Sequence, residues 1–134
     1  TSEFIHLKDA PHIISECFKH PVSSVESLTS EEQKRKIVIV GHDIGADIKF
    51  LKSIGYDVYN LPNLLELVDT TSMFRIINRD MNGRSLGSIM NYLGVVAWNL
   101  HNAGNDAFYT LQAMIILSLK YLEQEKVRKN AKSG

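Results

Sequence analysis

Two carboxylates stand where side-chain packing alone does not demand them. Asp47 precedes Phe50, Leu51 and Ile54 by three, four and seven residues, so on a helix it shares their face. An ionised carboxylate among apolar neighbours is costly unless it is hydrogen-bonded, opens onto a cleft or binds a cation. The competing account is a first-turn aspartate that complements the helix dipole, and spacing alone does not separate the two. The second carboxylate lies in His101-Asn102-Ala103-Gly104-Asn105-Asp106-Ala107, which sets an imidazole five residues ahead of an aspartate at the start of a long helix. A helix N-terminus helps keep Asp106 ionised, and a loop histidine is free to reach over a cleft. The pair therefore suits a metal ligand beside a general base. A loop histidine followed by Asn105 or Asp106 as a helix cap is the structural alternative.

Other reactive residue types have plainer explanations. His6, His12 and His20 do not stack on one helix face, and no cysteine or carboxylate completes a ligand set with them. Cys17 is the single cysteine, which excludes an internal disulfide and reads as a small core residue. Trp98 and Tyr92 offer stacking surfaces for unpaired bases, although aromatic residues near a helix end usually pack. Lys126, Arg128, Lys129 and Lys132 form a basic tail that reads as solvated surface. Arg75, Arg79 and Arg84, in or beside one loop, are candidate nucleic-acid contacts, because a cleft that handles a polyanion needs positive rims.

The elements that must position these residues are short. A chain of 134 residues with a hydrophobic fraction of 44% is the length of one domain with a real core. Fifteen basic and fifteen acidic residues cancel, so contact with nucleic acid must come from a local patch. No apolar stretch is long enough to span a membrane and no signal peptide opens the chain, so an intracellular setting, cytoplasm or nucleus, is expected. Leu7, Ala10, Ile13, Ile14 and Phe18 recur at helical spacing, with Pro11 early in that helix. A polar loop is expected from His20 to Lys36. Ile37 to Val40, ended by Gly41, reads as a strand covered on both faces. Ile44, Ile48, Leu51 and Ile54 fit a helix that Gly55 closes, and Asp57 to Tyr59 reads as a second strand. Pro62 interrupts, and Leu67-Val68 lead into Asp69-Thr70-Thr71 as a strand edge or helix cap. Asn78 to Arg84 reads as a loop, Leu86 to Leu93 as a helix stopped by Gly94, and Gly104 to about Lys126 as the longest helix. Strand, turn and helix in alternation give an α/β layered fold.

Taken together, these segments resemble a known family. Gly41-His42-Asp43-Ile44-Gly45-Ala46-Asp47-Ile48-Lys49-Phe50-Leu51 resembles the second motif of the DEDD-type 3'-5' exonucleases, and His101 through Ala107 the third motif in its histidine-bearing form. Val68-Asp69-Thr70 and Ser85 to Gly94 sit where that family has a strand ending in Asp-Thr and then a helix. The resemblance covers roughly Lys36 to Leu122. It implies a ribonuclease-H-like α/β fold, a short parallel sheet flanked by helices, with residues 1–134 forming one domain truncated at its amino-terminal strands. It also implies Asp47 and Asp106 as metal ligands and His101 as general base, a catalytic trio of His101, Asp47 and Asp106. In such enzymes four carboxylates hold two divalent cations, Mg2+ or Mn2+. Only two of the four are legible here, because Ser2-Glu3 offers a glutamate without the aspartate of the first motif, so weak metal binding and weak or absent activity are expected. The spacing from Ser2-Glu3 into Lys36 resembles a fungal group of the "good for full activity" type, linked to messenger-RNA export and DEAD-box helicase function. The expected partner is single-stranded nucleic acid, RNA before DNA. An unpaired sheet edge, left by the missing strands, would also invite a second chain or self-association. An active exonuclease completed by residues outside this sequence, and a protein-interaction module without nucleic acid, are the alternatives.

Overall fold

The computed structural model describes residues 3–19 and 36–134. The loop expected from His20 onward lies outside them except for Lys36, which is irregular and exposed. Leu7–Asp9 make one 3-10 turn that runs into helix α1 (Ala10–Cys17), with Pro11 in the first turn, where a missing N–H costs nothing. Strand β1 (Ile37–Gly41) is the expected β-branched run, and helix α2 (Ile44–Ser53) follows after two residues. Strand β2 (Leu64–Asp69) passes without a linker into α3 (Thr70–Asn78), followed by α4 (Leu86–Tyr92) and α5 (Ala103–Ser133). Among the described residues the sheet has two parallel strands, β1 beside β2. The α/β class and the short parallel sheet flanked by helices are thus as expected.

Three expectations change. The strand over Asp57 to Tyr59 does not form; Val58–Asn60 make a 3-10 turn instead. The Asp57 carboxylate accepts the Tyr59 N–H at 3.1 Å, a local bond that competes with extended pairing. β1 is not covered on both faces, since Val38 stays 47% exposed. Successive side chains point to opposite faces of a strand, so one face of β1 is open there. The last helix runs past Lys126 to Ser133, so the basic tail lies on it.

Contacts divide the chain into two compact units. In the unit of Thr1–Ile39 with Gly45–Leu67, the rings of Phe18 and Tyr56 stack at 6.3 Å, Val58 is buried, and the Ile37 N–H donates to the Asn63 carbonyl at 2.9 Å. Among the described residues the buried Tyr56 hydroxyl has no hydrogen-bond partner, and this burial pushes the phenol pKa up, against the opposing pull of Lys19. In the unit of Val40–Ile44 with Val68–Gly134, a core of Phe74, Ile77, Ile89, Met90, Ala113 and Leu117 joins α3 and α4 to α5. Fully burying a side chain such as Ile89, Met90 or Leu117 contributes about 1.5–3 kcal/mol. Across this core the Gln124 amide donates to the Ile77 carbonyl at 3.3 Å, meeting an acceptor that the end of α3 leaves open.

Helix ends in both units close through left-handed residues. After α4 the Val95 N–H reaches the Met90 carbonyl at 2.9 Å and the Gly94 N–H reaches Asn91 at 3.1 Å, with Gly94 at φ 73°. Gly55, at φ 91°, ends α2 with the same pair of bonds, Tyr56 to Leu51 and Gly55 to Lys52. At the end of α3 the left-handed position, φ 52°, is filled by Arg79, which pays a steric cost that glycine avoids. A Cβ at position 94 would meet nothing within 4 Å, so Gly94→Ala isolates the backbone term. Urea denaturation should show Gly94→Ala destabilised by about 1 kcal/mol and Arg79→Gly stabilised by about 0.5–1 kcal/mol, opposite signs from one conformational rule.

Candidate functional site

The end of β1 is built for a tight turn. A Cβ at Gly41 would lie 2.6 Å from Ile44 Cγ1, so the chain can bend into α2 only with glycine there. His42 and Asp43 make the bend, Asp43 at φ 57°. Here the structure brings together residues that the motif spacing does not single out. Asp69 Oδ1 accepts two backbone N–H groups, that of Asp43 at 2.9 Å and that of Thr71 at 3.0 Å. The first bond ties the end of β2 to the turn after β1; the second caps α3. Thr70 is fully buried and donates its hydroxyl to the Gly41 carbonyl at 3.2 Å. Thr70 Oγ1 also hydrogen-bonds His42 Nδ1 at 2.9 Å. Thr71 Oγ1 lies 3.4 Å from His42 Nδ1 and 3.5 Å from Nε2. The only sequence signal for this network is the placement of Asp69-Thr70-Thr71 at a strand end, where the reading had a cap but no partner for it.

The third-motif segment is organised by its backbone. The Asn102 side chain caps α5, accepting from Gly104 N–H at 3.1 Å and Asn105 N–H at 3.3 Å, and Asn105 Nδ2 donates to the Asn99 carbonyl at 3.1 Å. The cap is thus Asn102, and not Asn105 or Asp106. Asp106 is half-buried in the first turn of α5, and its Oδ1 accepts the His101 N–H at 3.0 Å. His101 is exposed at φ 71°, a left-handed conformation unusual for a residue with a Cβ. The structure therefore joins His101 to Asp106 through the histidine backbone, leaving the imidazole out of that bond. Asp47 lies in the first turn of α2, exposed, as are its neighbours Phe50 and Lys49. It belongs to the other compact unit.

The loop arginines differ from one another. Arg84 donates through Nε at 3.1 Å and Nη2 at 2.9 Å to Asp80 Oδ2, while the Asn82 N–H donates to Asp80 Oδ1 at 2.9 Å. Arg75 Nη2 lies 3.2 Å from where a Cβ on Gly83 would stand, so its guanidinium folds over the loop. Arg75 and Arg79 have no ion pair among the described residues. Tyr92 packs edge-on against Phe74 at 5.2 Å and donates to Asn78 Oδ1 at 3.0 Å, so it is a packing residue with an open side. Trp98 is held through its backbone, donating to the Tyr109 hydroxyl at 3.0 Å, and its indole is exposed.

Carboxylate donors suit a hard cation such as Mg2+ or Mn2+. Among the described residues, however, no group of three or more His, Cys, Asp or Glu side chains stands together as a metal site.

Residues 1–117 match the family model of the DNA polymerase III subunit epsilon-like, C-terminal domain, DEDDh_C. The chain belongs to this family. Exonucleases of this DEDDh kind typically depend on divalent metals. Among similar proteins, "Good for full DBP5 activity protein 2" of Saccharomyces cerevisiae is 31% identical over 127 residues, 82% of this chain and 22% of that protein. "Uncharacterized protein YDR514C" of the same yeast is 33% identical over 105 residues, 66% of this chain and 22% of its own length. "Uncharacterized nucleolar protein C2C4.08" of Schizosaccharomyces pombe is 30% identical over 90 residues, 62% of this chain and 36% of its own length. The chain therefore spans about a fifth to a third of these relatives. Membership in the DEDDh family and likeness to the fungal "good for full activity" group are as the motifs implied. Among the described residues no helix is long and apolar enough to cross a membrane.

Two tests follow from this geometry. Asp69→Ala removes an N-cap and the acceptor for Asp43; it should cost roughly 2–3 kcal/mol in denaturant titrations, with Asp69→Asn retaining most of that stability. Bonds from Asn82 and Arg84 hold the Asp80 carboxyl below its ordinary pKa. A folded pKa below the unfolded one gives a contribution fully present above the unfolded value and lost as the pH falls through the folded value. Acid titration of stability should thus fall more steeply for the wild type than for Asp80→Asn in the carboxylate range.

Proposed function

We propose that this chain is a nucleic-acid-binding domain derived from a 3'-5' exonuclease, weak or inactive as a nuclease in this form. It binds single-stranded nucleic acid, RNA in preference to DNA. Residues 1–134 belong to one ribonuclease-H-like domain. The observation that carries this reading is the His101–Asp106 junction. A non-glycine residue held at φ 71° stores strain of order 1–3 kcal/mol, which persists where the surroundings fix it and clusters at functional sites. Asp47, His101 and Asp106 line the ancestral site, His101 as base and the two aspartates as metal ligands. Arg75 and Arg79 supply charge for the phosphate backbone, while Arg84 is largely neutralised by Asp80. The names of the relatives, one tied to DBP5 activity and one nucleolar, support an intracellular role in RNA metabolism and a link to a DEAD-box helicase pathway.

The same protein as an active enzyme remains a distinct reading, favoured by the survival of two motif aspartates. In that case residues outside this sequence complete the metal site. Fluorescence anisotropy with a single-stranded RNA oligonucleotide should show binding that weakens steeply with added salt, and Arg75→Ala/Arg79→Ala should reduce both affinity and salt slope. Incubation of the same oligonucleotide with Mn2+ should leave it full length. Shortening that disappears in Asp47→Ala would establish the active enzyme, and absence of binding even at low salt would leave a protein-interaction module.

A further inference from the structure

The loop between α3 and α4 holds a dipeptide that can react within its own chain. Of the nine asparagines in the sequence, Asn82 alone precedes a glycine. Residues 81–85 are irregular and exposed. The Asp80 carboxylate brackets this stretch, accepting the Asn82 N–H at 2.9 Å on one oxygen and the Arg84 guanidinium at 2.9 Å and 3.1 Å on the other. Between those two ties, the Gly83 N–H has no partner among the described residues. Glycine carries no Cβ to hinder its nitrogen and reaches backbone angles closed to other residues. The remaining asparagines are all followed by a residue with a side chain. Several are also engaged: Asn91, Asn105 and Asn130 lie inside helices, Asn102 caps α5 through Oδ1, and Asn78 Oδ1 accepts from Tyr92.

We propose that Asn82 is a site of spontaneous deamidation, with the Gly83 backbone nitrogen as nucleophile. That nitrogen attacks Asn82 Cγ and gives up its proton. The new N–Cγ bond closes a five-membered ring, the Cγ–Nδ2 bond breaks, and ammonia leaves. Water then opens the succinimide at either carbonyl, giving aspartate or isoaspartate. The sum is a hydrolysis that consumes water and requires no oxidant or reductant. Attack by an adjacent residue replaces an encounter between molecules, which is where the rate originates. Arg75 adds to it: its Nη2 lies 3.2 Å from where a Cβ on Gly83 would stand, so a cation is beside the atoms on which negative charge develops. Because nucleophile and electrophile are neighbours in one chain, the reaction needs no partner and is independent of nuclease ancestry.

The product alters the loop that it forms in. The Asn82 side chain hydrogen-bonds the Asp80 carboxylate, and the reaction turns that donor into a second carboxylate. Isoaspartate also adds a methylene to the backbone between the two ties that Asp80 makes. Arg75, Arg79 and Arg84 then stand against two carboxylates in place of one.

Peptide mapping of the 134-residue chain, aged folded at body temperature and mildly alkaline pH, tests the proposal. Trypsin releases Asp80 to Arg84, in which Asn82 is the one asparagine. This peptide should gain about 1 Da, the difference between NH2 and OH, in a fraction that grows with time and ahead of the peptides that carry the other asparagines. Gly83→Ala should slow the gain at least about fivefold, since a Cβ restricts the backbone angles that ring closure uses. The new methyl meets only the mobile end of Arg75, so circular dichroism should not change. If the Asp80 to Arg84 peptide of the folded chain keeps its mass after weeks of ageing, the proposal fails. An equal rate in Gly83→Ala, or a gain that appears first at another asparagine, overturns it as well.

Discussion

A single carboxylate oxygen, Asp69 Oδ1, receives an N–H from the turn after β1 and another from the first turn of α3. Parallel strands have no hairpin to hold their ends level, so something else must fix where one strand stops relative to its neighbour. Here the fixing is done at the carboxyl ends of the strands, by Asp69 and by the chain of bonds from His42 through Thr70 to the Gly41 carbonyl. The sheet has only two strands among the described residues, and such a sheet is marginal without additional ties. Where α2 starts, and therefore where Asp47 sits along it, depends on that turn.

Much of the framework was legible because it obeys local rules. Ile37 to Val40 could only be a strand on its branching, and Gly55 and Gly94 mark helix ends because their positive φ values favour glycine. What was not legible depends on partners remote in sequence. Asp57 looked like the start of a strand because its side chain's bond to Tyr59 N–H is invisible in a pattern of apolar residues. Helix α3 was read only as a cap, since its apolar positions, Phe74 and Ile77, become informative once α5 lies against them. The motif residues themselves were found from spacing, but the manner of their joining was not. Spacing suggests an imidazole near a carboxylate, whereas the bond that forms uses the His101 backbone N–H.

The distribution of charge along the chain follows the same division between local and remote. Arg84 and Asp80 are four residues apart and pair with each other, closing their own loop. Among the described residues Arg75 and Arg79 have no ion-pair partner. A zero net formal charge thus conceals a local imbalance, which is the only form in which a chain of this composition can attract a polyanion.

Helix α5 also has a mechanical side. Thirty-one residues at the usual rise make a rod roughly 46 Å long, with Asp106 in its first turn and Lys126, Arg128, Lys129 and Lys132 near its far end. Its first half is clamped by Ala113 and Leu117; beyond them Gln124 provides one further tie, to the Ile77 carbonyl. The basic end is therefore a lever arm whose fulcrum is the α3 contact. A load on those cations would be transmitted along an unbroken helix as torque on the turn that holds Asp106 against His101, giving two remote chemical environments one shared mechanical axis.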